Sequence, residues 1–490
     1  MLGVASQGAD SPGTPRPRRR GTSQQTGMTG CRRADEVIIG VTMPRPAAVL
    51  GLAAIALTLA PGCAMRAQVA PQDAADRLQA RTGVAPRVAG AAPAEIPAGL
   101  RLDDGLTADE AVAIALWNNA AFQVSVSELG FARADLLEAG LLTNPVLSLL
   151  FPIGPKQLEA TLRWPVEALW ERPRRVAMAR LAADAASHRL VQAGLDLVLA
   201  VRSAHADLSL AIDRHRLATE TSGLLVHIDR LTQSRLAAGD IGELDARAAQ
   251  VDAARGQQDV ERAVHDVDIA AARVRLLLGL SGDSPALDVS PSPIVPVCGP
   301  SADLLREALV ARPDVRAAEL GVETAAARLG WERSRILALT AVLDANGQGT
   351  EGFEAGPGLD ASLPIFNRNQ GGRARASAEL QRASAAYAAI QQQVALELRE
   401  ATALFDQARE SLATWRDRIV LPLEANVADA NRSFTEGDTS YLFVLEHTRR
   451  LTDARIRERE LAADEHRARA RIERAVGRSC SAPQEASRDR

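Results

Sequence analysis

The chain has 490 residues, 47% of them hydrophobic but only 3% aromatic, with alanine abundant, a balance that favours extended helix packing over a thick globular core. A net charge of -4 and a pI near 6.1 give no electrostatic case for a nucleic-acid partner. Lys156 is the single lysine, the cysteines at 31, 63, 298 and 480 contain no CxxC pair, and the histidines form no i, i+4 couple, so a metal, redox centre or cofactor is not expected.

Residues 1–42 are rich in Gly, Ser, Thr and Arg without apolar periodicity and read as a non-native or disordered leader. A secretory signal spans 43–62: MPRP is the positive n-region, AAVLGLAAIALTLA the apolar h-region, and PGC the small-residue exit, so the true start is expected at Met43. The sharper reading is a lipoprotein signal with Cys63 as the lipidated first residue, although Ala60 occupies the place where such signals prefer leucine. An Ala/Pro-rich lead-in, 63–102, is expected to be extended.

From Thr107 a helical pattern runs to about Leu142, with Asp109 and Glu110 in the first turn, where the helix dipole favours acids. A hairpin follows over about 145–164. Its second arm, QLEATLRWP, sets Leu158, Ala160, Leu162 and Trp164 against Gln157, Glu159, Thr161 and Arg163, and period two means a half-buried strand. Helix resumes near Glu171 with a coiled-coil seam at Leu224, Ile228 and Leu231, breaks at AAGDIG (237–242), and runs again from Glu243 to Leu280. A Pro/Ser-rich linker covers 283–300.

Then the order returns. A helix from Ser301 to about Ile336 precedes a hairpin over about 337–363, in which Leu339, Ala341, Leu343, Ala345, Leu359 and Ala361 are apolar while Asp344, Asn346, Asp360 and Ser362 are polar. A long helix covers Asn369 to Thr435, EGDTS breaks it, and another runs from Tyr441 to Val476, leaving a tail at 479–490. Gly437 minus Gly239 and Gly477 minus Gly279 are both 198, so the chain is an internal duplication, with repeats at 103–282 and 301–478. The long helices should each measure roughly 100 Å and the shorter ones roughly 55 Å, with hairpins at one end and glycine turns at the other. Pro422 should kink or break the second long helix. Four short strands cannot form a soluble core alone, and their open edges call for partners from other copies.

This arrangement resembles the TolC-like outer-membrane efflux protein family over essentially all of 103–478. The resemblance is carried by LTADEAVAIALWNNA, AGLLTNP, LPIFNRNQGG and the tip segments RLAAGDIGELDA and SFTEGDTSYLFVLEH. It implies a mainly α chain of long antiparallel helices forming a periplasmic tunnel, with two β-hairpins given to a trimeric, twelve-stranded transmembrane β-barrel. The implied function is the exit duct of a pump of the resistance-nodulation-division type, partnered by a periplasmic adaptor and an inner-membrane pump. The duct would be lipid-anchored in the outer membrane and extend into the periplasm. With apolar residues facing lipid, Glu159, Thr161, Arg163, Asp344, Asn346, Asp360 and Ser362 would line the lumen.

At the tips, Gly239, Asp240, Gly437 and Asp438 would meet the adaptor. The two inward acids of the family's entrance fall at Phe443 and Glu446. The acid that holds a neighbouring helix falls at Asp245, while its arginine partner falls at Thr439, leaving Arg247, Arg449 or Arg450 as replacements. Cys298 and Cys480 each follow the end of a repeat, which leaves two readings open: a disulfide between them in an oxidising periplasm, or two free thiols on the linker and the tail.

Two other readings compete. Gly347, Gly349 and Gly352 fit GxGxxG after a strand, but a dinucleotide site needs a helix next, and FEAGPGLDASLP continues as turn and strand. A periplasmic coiled-coil scaffold or adhesive lipoprotein explains Cys63 and the seam but leaves the alternating strands unused.

Overall fold

A computed structural model describes residues 70–88, 96–97, 100, 105–153, 158–280, 287–290, 301–347 and 352–480. The leader, the signal peptide, Cys63, Cys298 and most of the linker lie outside the described residues.

The lead-in is not wholly extended, because helix α1 occupies Pro71–Thr82. Pro71 begins it without needing an N–H, the Asp73 carboxylate accepts the Ala70 N–H at 3.2 Å, and Gly83 ends it in the left-handed region at φ 77°. Ala74 and Leu78, four residues apart, are buried, and Leu78 rests on Gly194, where a Cβ would collide with it.

The expected helix from Thr107 to Leu142 is two helices, α2 (Ala108–Asn118) and α3 (Ala120–Gly140). Thr107 and Glu110 form the capping box that starts α2. The chain breaks at Asn119, whose backbone is extended (φ -61°, ψ 119°) and whose Oδ1 accepts the Phe122 N–H at 2.9 Å. Strands β1 (Val146–Leu150) and β2 (Leu158–Pro165) form the first hairpin. Helix α4 (Glu167–Ala238) starts four residues earlier than the pattern suggests and accommodates Pro173 in its second turn; α5 covers Glu243–Leu278.

The second repeat follows in the same order with the same correction. Its opening helix is α6 (Ser301–Ala311) and α7 (Pro313–Ser334), parted at Arg312 (φ -68°, ψ 131°) because the ring of Pro313 disfavours helical backbone in the residue before it. Strands β3 (Leu339–Gly347) and β4 (Phe353–Ala361) precede α8 (Gln370–Trp415), α9 (Leu421–Glu436) and α10 (Tyr441–Val476). Pro422 does not break the rod: a five-residue π-helical segment, Arg416–Val420, joins α8 to α9 immediately before it.

The hairpins join into one antiparallel sheet of order β1-β2-β3-β4. Helix α4 is the spine on which α1, α2, α3, α5, α7 and α10 pack. It has 72 residues, about 110 Å at helical rise, and so carries the sheet at one end and the Gly239 turn at the other. The linker residue Val289 pairs in parallel with Leu106, tying the linker back to the start of the first repeat, midway along this spine beside His205.

Candidate functional site

Partners in a ladder point to the same side of a sheet, so the register sorts the strand residues into two faces. Thr161 pairs with Asp344, Glu159 with Asn346, and Thr340 with Asp360, which puts the expected lumen residues of β2, β3 and β4 on one face. Thr161 Oγ1 donates to Asp344 Oδ1 at 2.7 Å and Asn346 Nδ2 to Asp344 Oδ2 at 2.9 Å. The Ser362 N–H bonds the Ala338 carbonyl at 3.0 Å, continuing the ladder beyond β4. Arg163 stands opposite Val146 and Val342 on this side, so the polar face has apolar interruptions.

The sequence reading missed Glu354, which pairs with Asn346 and joins the same face. Counting back in twos from Asp360 would have found it. Among the described residues one chain therefore offers Glu159, Asp344, Glu354 and Asp360 against Arg163 on this face. The opposite face holds Leu147, Leu149, Leu158, Ala160, Leu162, Trp164, Leu343 and Leu359, and β1 and β4 are exposed along their whole length. Among the described residues no helix is long and apolar enough to cross a membrane. Directly after Gly352 (φ 115°), where a dinucleotide site needs a helix, strand β4 begins, so Gly347 and Gly352 flank a strand connection instead of a nucleotide; Gly349 lies outside the described residues.

At the other end the two tips are built alike. Gly239 (φ 80°) and Gly437 (φ 89°) end α4 and α9 in the left-handed region, where glycine carries no Cβ penalty. The Asp240 N–H then bonds the Arg235 carbonyl, and that of Asp438 bonds the Ser433 carbonyl, each at 2.9 Å. Ile228, Ala249, Ala430, Phe434 and Val444 pack the tips together, and the Arg235 guanidinium stands 4.6 Å from the Phe434 ring centre.

Asp245, Phe443 and Glu446 all lie exposed beside these turns. Arg450 Nε donates to Glu446 Oε1 at 2.7 Å and Arg247 Nη2 to Glu243 at 2.5 Å, so within the chain neither arginine serves Asp245. Phe443 rests against His447 with ring centres 4.4 Å apart.

A clamp that the sequence reading did not see lies between these ends. The Arg312 side chain is 1% exposed; its Nη2 reaches Asp314 at 2.5 Å, its Nη1 Glu397 at 2.6 Å and the Ala475 carbonyl at 3.4 Å. Burial opposes its charge, but the hydrogen bonds and charges of Asp314 and then Glu397 outweigh that cost and hold its pKa above the ordinary value. Arg81 of α1 donates to the carbonyls of Ala311 (2.6 Å) and Gly477 (2.9 Å). In the first repeat Asn119 Nδ2 donates to the Leu277 carbonyl at 2.9 Å. Leu277 and Ala475 are 198 apart, so each repeat closes its end onto its own helix break. Cys480, just beyond, is disulfide-bonded.

Beside the clamp a cavity of about 560 Å³ opens between α4 and α10, lined by Arg202, His205, His466, Arg469, Glu473 and Asp109 among others. Its charges compensate one another, since Arg202 bridges Glu473 and Asp109.

LPIFNRNQGG also has a structural purpose. Asn369 sits at φ 59°, its Nδ2 donates to the Glu332 carboxylate at 2.6 Å and to the Glu332 carbonyl at 2.9 Å, and a Cβ on Gly372 would overlap both side chains. The motif is the corner that turns β4 into α8.

A sheet with one polar and one apolar face, carried on a long helical stalk, is the arrangement that would let one chain give strands to a barrel and helices to a tunnel. Comparison with known proteins agrees. Residues 304–478 match the family model described as outer membrane efflux protein. The cobalt-zinc-cadmium resistance protein CzcC of Cupriavidus metallidurans is 27% identical over 384 residues, 76% of this chain and 90% of that one. Among solved structures, the Campylobacter jejuni CmeC outer membrane channel superposes with a TM-score of 0.67 at 14% identity, covering 76% of this chain and 86% of that one. The open state of the Neisseria gonorrhoeae MtrE outer membrane channel gives 0.61 at 16% identity, covering 81% and 99%. The second repeat is thus similar to the outer membrane efflux protein family, and the fold as a whole is similar to that of solved outer-membrane channels.

Proposed function

We propose that three copies of this chain form the exit duct of a tripartite efflux system, passing substrates from an inner-membrane pump and a periplasmic adaptor across the outer membrane. The observation that carries this reading is that both layers are open in the same order. Helices pack α3 on α4, α4 on α7 and α7 on α8, just as the strands run β1 to β4, so a neighbouring copy can join the free edges of both layers at once. Closure leaves no strand edge unpaired, which a bilayer demands.

Cys63 anchors the mature chain through lipid, and Cys298 is the partner of Cys480. The turns at Gly239, Asp240, Gly437 and Asp438 receive the adaptor. Asp245, Phe443 and Glu446 form the periplasmic gate, where threefold symmetry gathers three Glu446 carboxylates. Among the described residues, four carboxylates against one arginine on each chain's lumen face favour cations, and a relative named for cobalt, zinc and cadmium resistance supports divalent metal ions as the cargo.

In planar bilayers the detergent-purified protein should form channels that pass cations in preference to anions. A protein that forms no conductance, and that leaves the membrane fraction without detergent once its lipid is removed, is a scaffold instead.

A further inference from the structure

In an antiparallel sheet the start of β1, the end of β2, the start of β3 and the end of β4 lie at one end, here the end where the helices attach. Large apolar side chains are exposed beside all four of these positions: Leu141, Trp170, Leu337, Leu363, Ile365 and Phe366, the last 91% exposed. Exposed arginines follow at once, Arg174 nine residues after β2, Arg333 and Arg335 just before β3, and Arg368 and Arg373 after β4. At helical rise all five lie within roughly 15 Å of the sheet.

Exposed arginines lower down are of two kinds, and some, such as Arg399, Arg409 and Arg449, are in no ion pair among the described residues. On the stalk Arg247, Arg316, Arg450 and Arg457 each hold an acid three or four residues away. Among the described residues none of the five collar arginines is in an ion pair. Of the nearby acids, Glu332 is engaged by Asn369 and Glu167 by the Leu339 N–H, while Glu138 and Glu171 are in no ion pair among the described residues and are outnumbered by the five arginines. Arg335 stacks 5.1 Å over the Trp331 ring and Arg368 touches the Pro364 carbonyl at 3.3 Å, contacts that position each guanidinium without neutralising it.

We propose that this collar binds the phosphate headgroups of anionic glycerophospholipids in the leaflet that faces the helices. The inference rests on the sheet closing into a membrane barrel. The apolar collar continues the lipid-facing surface of the barrel, so acyl chains lie against it while the arginines meet the headgroup layer. The guanidinium fork suits phosphate because it can offer two parallel hydrogen bonds, and it keeps its charge at any physiological pH.

The test is reconstitution of the full-length protein into phosphatidylcholine vesicles with and without phosphatidylglycerol, followed by mild detergent extraction and native mass spectrometry of the retained lipid. Wild-type protein should retain phosphatidylglycerol over phosphatidylcholine, and a triple Arg333→Gln, Arg335→Gln, Arg368→Gln variant should lose that preference by at least about tenfold, given roughly fivefold per surface arginine. Arg432→Gln and Arg449→Gln, near the tip, should leave it unchanged. A second measurement needs no variant: the melting temperature of wild-type protein in detergent should rise with added phosphatidylglycerol but not phosphatidylcholine, and the rise should shrink in high salt. Equal retention of both lipids by inserted wild-type protein, or full preference in the triple variant, overturns the collar site. Failure to insert into either vesicle overturns the barrel itself.

Discussion

Replacing Arg312 by methionine keeps most of the side-chain volume and deletes the charge at the centre of the clamp. Asp314 and Glu397 lose their bonds to the guanidinium, though Glu397 keeps Arg474, and both carboxylate side chains remain 23% exposed. Breaking a buried pair costs about 3–5 kcal/mol, and partial access to water puts this case near the lower end, about 3 kcal/mol. Unfolding of a chain this long is not a single step, so the quantity to measure is local opening. Hydrogen exchange of the Gly477, Arg478 and Ser479 amides, which bond Glu473 and Arg81, should accelerate by about two orders of magnitude while the tips keep wild-type protection. Asn119→Ala should loosen the Gly279 and Leu280 amides by a smaller factor, because it removes a neutral bond and a cap worth about 1 kcal/mol. Unchanged exchange at 477–479 in Arg312→Met, or acceleration spread evenly along the stalk, refutes the clamp.

Asn369→Ala combines a left-handed backbone that alanine resists with loss of the Glu332 bonds, and should lower stability by about 2–4 kcal/mol, read as a fall in the melting temperature of the detergent-solubilised protein. Burial, then the charges of Arg77, Arg81 and Arg316, lower the His188 pKa from 6.5 to about 4. The unfolded chain therefore takes up a proton first, so stability should drop between about pH 6.5 and pH 4 and level off below; His188→Gln should flatten that part of the melting profile. Glu446→Ala removes an exposed i, i+4 pair worth about 0.3–0.5 kcal/mol, so the fold should be untouched while single-channel recordings lose cation block from the periplasmic side and show a weaker cation preference, the rest being supplied by the strand carboxylates. Non-reducing peptide mapping should find Cys480 joined to Cys298; recovery of both as alkylatable thiols rejects that pairing.

The sheet was legible because period two is a local signal: alternation from Leu158 to Trp164 and from Leu339 to Ala345 assigns faces without knowledge of a neighbour. The tips were legible through glycine, since Gly239 and Gly437 sit where a helix needs a left-handed residue to stop. The two helix breaks differ instructively. Pro313 advertises the break at Arg312, whereas Asn119 breaks α2 from α3 through a cap that an asparagine inside a helix would not reveal. Helix α1 was hidden by its brevity, for only Ala74 and Leu78 mark its buried side. The clamp could not be read at all, because Arg81, Arg312, Glu397 and Ala475 are brought together only by the duplication folding back on itself.

The central claim is that open edges of sheet and stalk close between copies. Projection imaging of the detergent-solubilised protein tests it directly. The expected particle is a threefold rod about 100 Å long, with a ring at the end that carries the strands. Monomers, dimers, or a threefold particle without a closed ring at that end would contradict the account.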